Sequence, residues 1–525
     1  AVGTPSDGTV LPVSIATGLD FTFNSISIGK GANSVTGNTV LGETALDAVT
    51  NGHDNVAIGL NSLTNNTSGE KNVAVGSQTS VLNTTGVDNT AVGQAALYNN
   101  TSGSSNTAIG RAALNANTTA SNNTAIGRSA LAATTTGASN TAVGKSAGND
   151  TTTGSNNAVF GFHAFYDNTS GGNNTAIGYE ALVKNTTASQ NTAVGYQCLR
   201  QNTTGIDNTA TGALCLDANT TGNFNSAFGQ GALGKNTTAS NNTAVGYTAL
   251  INNTTGFDNT AVGALCLDAN TTGHYNSALG QGALGKNTTA VRNTAVGYTS
   301  LLENTTGSNN VGIGFESLRA NTTGEQNVAV GTAALDANTT ANFNVALGAY
   351  SLSSNTTGTQ NTAVGKSALT LNTTANNNTA VGFSALFANT TGLENVAVGT
   401  NCLDANTTGF DNTAGGFSAL GANTTASYHT AFGAFALNAN TSGVGNTAVG
   451  SHSLDANTTG SANVAFGRSA LTVSTTGSFN TGLGAFALQG NSTASNNTAV
   501  GYNSLGANTT GFNNTAVGSI ALQDN

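Results

Sequence analysis

Residues 89–110 read NTAVGQAALYNNTSGSSNTAIG, and the stretch ends by spelling its own beginning again. The glycine that closes the first five residues, Gly93, recurs as Gly110, Gly127 and Gly144, an interval of 17 residues. Extended both ways, that ruler meets glycine at every mark from Gly42 to Gly518, 29 marks with no insertion or deletion. Surface loops absorb length changes at little cost, so a register this strict implies that each repeat is stacked on its neighbours. A fixed period of this kind is the mark of a solenoid, not of a disordered tract.

Every residue can be placed by its distance from the marker glycine. Val, Ile, Leu or Phe stands one before it and Thr, Val or Ser three before it, which reads as a short strand with one apolar face. The residue between them is small, usually Ala. Leu stands four after the marker (Leu97, Leu114, Leu131), preceded by Ala, Ser or Cys, and Asn-Thr-Thr-Gly or Asn-Thr-Thr-Ala supplies turn chemistry. Gly there offers positive φ, although Ala120, Ala188 and Ala239 show that not every coil needs it. Gly148 replaces the usual Leu, while Phe160 and Phe165 follow in the next coil, so a hole in one layer is expected to be filled from another. Leu97, Leu114, Leu131, Phe160 and Phe165 are thus the expected core.

Seventeen residues accommodate two short strands and two turns. The expected fold is all-β: a parallel β-solenoid or β-roll of about 29 coils over residues 31–525, after a cap or junction over residues 1–30. At about 4.8 Å per coil it would extend on the order of 140 Å. A coil so small has a thin core, and the chain is expected to associate as a parallel homotrimer.

Composition agrees with a repeat array. Only 7% of the 525 residues are charged, with two prolines and neither Trp nor Met. A net charge of -10 offers no basic stripe, which argues against nucleic acid. No stretch approaches the apolar length of a membrane span, so membrane insertion is not expected. The opening residues lack a signal-peptide pattern and an initiating Met, and the chain reads as a processed product or a fragment.

Asn24-Ser25-Ile26-Ser27-Ile28-Gly29 and Asn72-Val73-Ala74-Val75-Gly76 resemble the Asn-Ser-Val-Ala-Ile-Gly repeat of trimeric autotransporter adhesin (YadA-like) heads. The longer unit, Asn-Thr-Ala-Val-Gly followed by Ala-Leu and Asn-Thr-Thr-Gly, looks like bacteriophage tail-fibre repeat arrays. The resemblance, from about residue 24 to 525, implies a trimeric parallel β-roll on a virion tail or a cell surface, with a host glycan or protein receptor as partner.

Few residues invite chemistry. Cys198, Cys215, Cys266 and Cys402 share the small column three after the marker and read as Ala-like buried thiols, with a Cys198–Cys215 disulfide as the alternative. The five histidines are scattered and have no catalytic partners in constant relation. Asp88, Asp207, Asp258 and Asp411 precede Asn as turn residues would; a calcium role lacks its ligand pattern. No catalytic residue, metal site or cofactor is expected. Asn89, Asn106 and Asn123, and Asn100 with Asn117, read as amide ladders between coils, or as glycosylation acceptors in a host that glycosylates. Variation gathers in a few columns. One holds Phe162, Tyr179, Tyr196, Tyr247, Tyr298 and Phe315, either an exposed platform for sugars or a surface buried between protomers. Residues 212–262 and 263–313 are close copies, a duplicated three-coil block.

The function that follows is a non-enzymatic structural and adhesive fibre, first of all a phage tail fibre, with a bacterial surface adhesin or extracellular filament as the alternative. An ice-binding solenoid is more remote, because the strand Thr gives way to Val at Val56, Val73 and Val328 as a core site would. A glycan-cleaving enzyme would need paired carboxylates, and Asp and Glu stand singly.

Overall fold

The computed structural model of the chain describes residues 20–524. They divide at Ala244/Val245 into two compact units, each a parallel β-solenoid. At the start, β1 (Phe21–Phe23) and β2 (Ile26–Gly29) form an antiparallel pair, and β2 runs antiparallel to β3 (Thr39–Gly42). The Asn24–Gly29 stretch that resembles an adhesin repeat therefore lies outside the parallel winding. From β3 onward one short strand forms per mark, as in β4 (Val56–Ile58), β5 (Val73–Val75), β6 (Thr90–Val92) and β7 (Thr107–Ile109). Neighbours pair in parallel, residue for residue: Thr90 with Thr107, Ala91 with Ala108, Val92 with Ile109.

The winding corrects three expectations. First, the strand faces the other way. Ala91 and Ala108 are fully buried, while the Thr and Val or Ile on either side point outward, so Phe160 is not core but 39% exposed. Leu97, Leu114, Leu131 and Phe165 do lie inside, buried almost completely. A coil this narrow has room for one large group per layer, and Leu fills it; the inward strand position is accordingly Ala in nearly every coil. Burying each Leu contributes roughly 1.5–3 kcal/mol. The vacancy at Gly148 is closed within the column by Leu131 of the preceding coil, whose Cδ2 would lie 2.9 Å from an added Cβ.

Second, each coil has one strand, not two. Leu97 and Leu114 adopt φ of 54° and 50°, and Ala95 and Ala112 are left-handed too, so the Ala-Leu segment cannot be extended. Left-handed backbone costs about 1–2 kcal/mol per residue. It is offset here by burial and by ladder bonds such as Leu97 N–H to Ala113 O, 2.9 Å.

Third, positive φ falls on the marker glycine rather than on the glycine after Asn-Thr-Thr. Gly93 and Gly110 have φ of 125° and 130°, and a Cβ on Gly93 would lie 2.8 Å from the Gly110 carbonyl carbon. Both conformation and close approach exclude any side chain, which accounts for the unbroken marker. After Asn-Thr-Thr the constraint is space alone: a Cβ on Gly103 would press on the Ala120 carbonyl.

Two asparagine columns join the coils. Asn89 Oδ1 accepts from the backbone N–H of Asn106 (3.0 Å) and from its Nδ2 (3.1 Å), and Asn123 N–H repeats the bond to Asn106 Oδ1 (3.0 Å). In the second column Asn117 Nδ2 donates to Asn100 Oδ1 (2.7 Å). The columns meet at one acceptor, because Asn106 and Asn117 both donate to the Ala120 carbonyl, at 2.9 and 3.1 Å. All these amides are buried, where an unmet polar group costs about 1–3 kcal/mol. Where the second column is interrupted that cost appears. Thr134 follows Asn117 and Ser474 follows Asn457; the amide oxygens Asn117 Oδ1 and Asn457 Oδ1, and both hydroxyls, have no partner.

Candidate functional surface

With Ala, Leu and Asn turned inward, variation can reach solvent only through the outward columns. The first of these, one before the marker, is an apolar stripe. Val92, Ile109, Ile126, Phe160 and Ile177 stand in successive or near-successive coils of the first unit, and Ile313, Leu347, Val398, Phe432 and Phe466 continue the pattern in the second, each more than a third exposed. Thr lies two residues away on the same face, partly covered.

The second outward column, one after the marker, holds the six aromatic residues singled out from the sequence. In the first unit Phe162, Tyr179 and Tyr196 stack over consecutive coils, with ring centroids 5.4 Å apart at both steps and planes within 12° of parallel. Lys145 Nζ lies 5.1 Å from the Phe162 centroid, closing the lower end of the stack by a cation–π contact. His163 stacks on Phe162 as well, at 3.9 Å. In the second unit Tyr298 and Phe315 stack at 5.5 Å, whereas Tyr247 joins no ring contact among the described residues. Stacking covers ring faces, so the trio offers solvent mainly its edges and hydroxyls, a poorer sugar platform than isolated rings would be.

Polar groups flank the trio. Gln197 Nε2 donates to Glu180 Oε2 (2.9 Å), which holds the Glu180 carboxyl below its usual range. The hydrogen bond with Glu180 in turn raises the Tyr179 phenol. Away from this column, Phe257 and Tyr275 meet edge to face at 5.3 Å, with His274 stacked on Phe257 at 4.6 Å; Phe410 and Tyr428 form a similar edge contact.

The remaining polar candidates are structural. All four cysteines are buried and free, and the Cys198 thiol, like that of Cys215 one coil on, donates to a backbone carbonyl at 3.2 Å. Hydrogen bonding to Cys215, then burial, raises the Cys198 thiol; burial pushes Cys266 and Cys402 up to about 12. Thiols held protonated are poor nucleophiles and poor metal ligands. Asp88, Asp207, Asp258 and Asp411 occupy left-handed turn positions, with φ between 54° and 56°. Among the described residues no three His, Cys, Asp or Glu side chains gather as metal ligands, and no helix is long and apolar enough to cross a membrane.

His429 takes an asparagine's place in the first ladder and does its work. Its Nδ1 accepts from Asn446 N–H (3.2 Å) where an amide oxygen would, and its Nε2 lies 3.2 Å from Asn440 Nδ2 of the second column. Acceptance at Nδ1 calls for the neutral ring, and burial pushes the pKa down to about 4.

No known family's sequence profile matches the chain, and no curated protein matches it either.

One surface feature escaped sequence reasoning. In the duplicated block Gly282 and Gly285 leave a recess of about 340 Å³ between the coils on either side. Its only signal in the sequence is a pair of glycines in columns that other coils fill with larger residues.

Proposed function

We propose that the chain is a non-enzymatic structural and adhesive fibre element, in the first place part of a bacteriophage tail fibre. A bacterial surface adhesin or extracellular filament is the second source of such an element. The observation that carries this reading is the division of labour within each coil. Every inward column is committed to coil-to-coil bonds and packing, the register is never broken from Gly42 to Gly518, and variation is concentrated in the outward columns. Such a design adds length by copying coils, as the duplicated block 212–313 illustrates. It leaves recognition to surface residues. The resemblance to tail-fibre arrays and adhesin heads points to the virion tail or the cell surface as its place, and to a host glycan or protein as its receptor.

The outward apolar stripe supports association of identical chains in parallel, as a homotrimer. An outward Val, Ile, Leu or Phe in nearly every coil, many of them more than a third exposed, is a large unpartnered apolar surface for a chain with few charges. A second copy with the same coil spacing matches it side chain for side chain. Sedimentation equilibrium tests this: three times the 51.6 kDa chain is expected, and a monomer mass would contradict it. Replacing Val92, Ile109 and Ile126 together by Lys should shift the mass towards that of one chain. Electron micrographs of particles carrying the protein, decorated with antibody, separate virion tail from cell surface.

The outward Thr column favours the ice-binding reading more than the sequence did, since that Thr is not a core site. The apolar column beside it, however, mixes Val with Phe160, Phe228, Phe432 and Phe466 and cannot offer a flat lattice. No thermal hysteresis is expected from the purified protein; a clear hysteresis gap would favour ice binding.

A further inference from the structure

The recess in the duplicated block combines features that the regular coils do not. Its floor is backbone. Gly282 and Gly285 stand in columns occupied by Leu265 and Asp268 in the coil before and by Thr299 and Leu302 in the coil after, and all six residues line it. One wall carries the Tyr298 ring. Phe315 covers one face of that ring in a stacked contact, and the coil on the other side contributes only the flexible Gln281, so the face turned to the recess is not covered by another ring. Around the rim stand the Asp268 carboxylate, the Gln281 amide and Lys286, whose ammonium is paired with Glu303 at 2.6 Å.

Two hydrogen-bonding capacities are unspent. The buried Thr299 hydroxyl has no partner, and rotation about its χ1 exchanges it with the methyl that lies 3.5 Å from where a Gly282 Cβ would stand. Asp268 is half-buried beside Gly285 and bonded only to neighbouring backbone, with burial raising its carboxyl above the ordinary range. Thr248, the residue corresponding to Thr299 in the other copy of the block, has the same unpartnered hydroxyl.

An aromatic face opposed by a carboxylate, an amide and a hydroxyl suits a ligand with one apolar face of C–H groups and a rim of hydroxyls. A recess of this volume lies within the range of small-molecule sites. The two carboxylates against one ammonium disfavour an anionic ligand. We propose that the recess lined by Gly282, Gly285, Asp268 and Tyr298 is a binding site for a neutral pyranose ring, stacked on Tyr298 with hydroxyls on Asp268, Gln281 and Thr299. The proposal rests on the adhesive reading and gives it a defined ligand class.

The test is saturation-transfer NMR and calorimetric titration of the full chain with methyl glucoside, methyl galactoside, methyl mannoside and the methyl glycoside of sialic acid. At least one neutral glycoside is expected to bind, and a Gly282→Leu variant should weaken it at least about tenfold. Leucine already occupies that column at Leu214 and Leu265 with φ of 56° and 57°, so the variant should fold, with an unchanged circular dichroism spectrum. A Tyr179→Ala/Tyr196→Ala control should bind as the parent does. Binding that survives the filled recess, preference for the sialoside, or no neutral glycoside bound would each overturn the proposal. Adsorption of the parent protein to host cells, scored separately, distinguishes the two levels. If cells are bound but glycosides are not, the recess fails and the adhesive reading stands; if neither is bound, both fail.

Discussion

The two sides of the Thr-Ala-Val strand obey different rules. Inward, Ala108 is fully buried and pairs with Ala91 and Ala125 in the coils on either side, and the neighbouring Asn106 hydrogen-bonds to the coils on both sides. Outward, Ile109 occupies a column that tolerates Val, Leu, Phe and even Thr211 or Gly415. The inner side is uniform because each coil is the template for the next; a change in one layer leaves its neighbours' bonds unmet. The outer side has no such neighbour to satisfy, so it drifts and can be recruited for contact with other molecules.

Substitutions at the two sides should therefore differ sharply in effect. The largest loss is expected at the marker: Gly110→Ala places a Cβ 2.6 Å from the Gly127 carbonyl at a φ no side chain tolerates, and should cost about 4 kcal/mol or more in local stability by native-state hydrogen exchange. Asn106→Leu strips the side-chain partner from Asn123 N–H and one of the two amide donors from the Ala120 carbonyl, and should cost about 3 kcal/mol by the same measurement.

His429 sharpens the comparison through pH. Its folded pKa of about 4 lies below the 6.5 of the free side chain, so the folded coil resists protonation. The contribution of this coil is whole above pH 6.5 and is lost as pH falls towards 4, by about 3 kcal/mol. Amides in the coils around His429 should exchange faster at pH 4.5 than at pH 7 after correction for intrinsic rates, and His429→Asn should abolish that acceleration.

Smaller effects lie at the ladder's interruptions and on the surface. Thr134→Asn and Ser474→Asn should restore partners for Asn117 and Asn457 and stabilise by about 1 kcal/mol each, raising the melting temperature. Tyr179→Ala removes stacking with Phe162 and Tyr196 and an exposed hydrogen bond with Glu180, and should cost no more than about 1 kcal/mol.

The period, the parallel winding and both Asn columns were legible because a residue that must match its neighbours every coil cannot vary. The direction of the strand was not. Thr-Ala-Val alternates in either orientation, and the larger apolar residues, Val92 or Phe160, suggested an inner face that steric room reserves for Ala. The left-handed Leu column was equally hidden, since Leu carries no sign of positive φ; only stacking imposes it. Within the candidate surface, the aromatic column was visible as a pattern of variation, but its division into a stacked trio, a stacked pair and Tyr247 depends on which coils are adjacent. The recess was invisible because it is made by side chains that are missing.

Residue-resolved hydrogen exchange on Ala108→Asp and Ile109→Asp, measured side by side, tests the inward–outward assignment most directly. The account predicts that Ala108→Asp abolishes protection across the coils that flank it, while Ile109→Asp leaves the amide ladder from Thr90 to Thr124 protected. The reverse order, or equal loss in both, would contradict it.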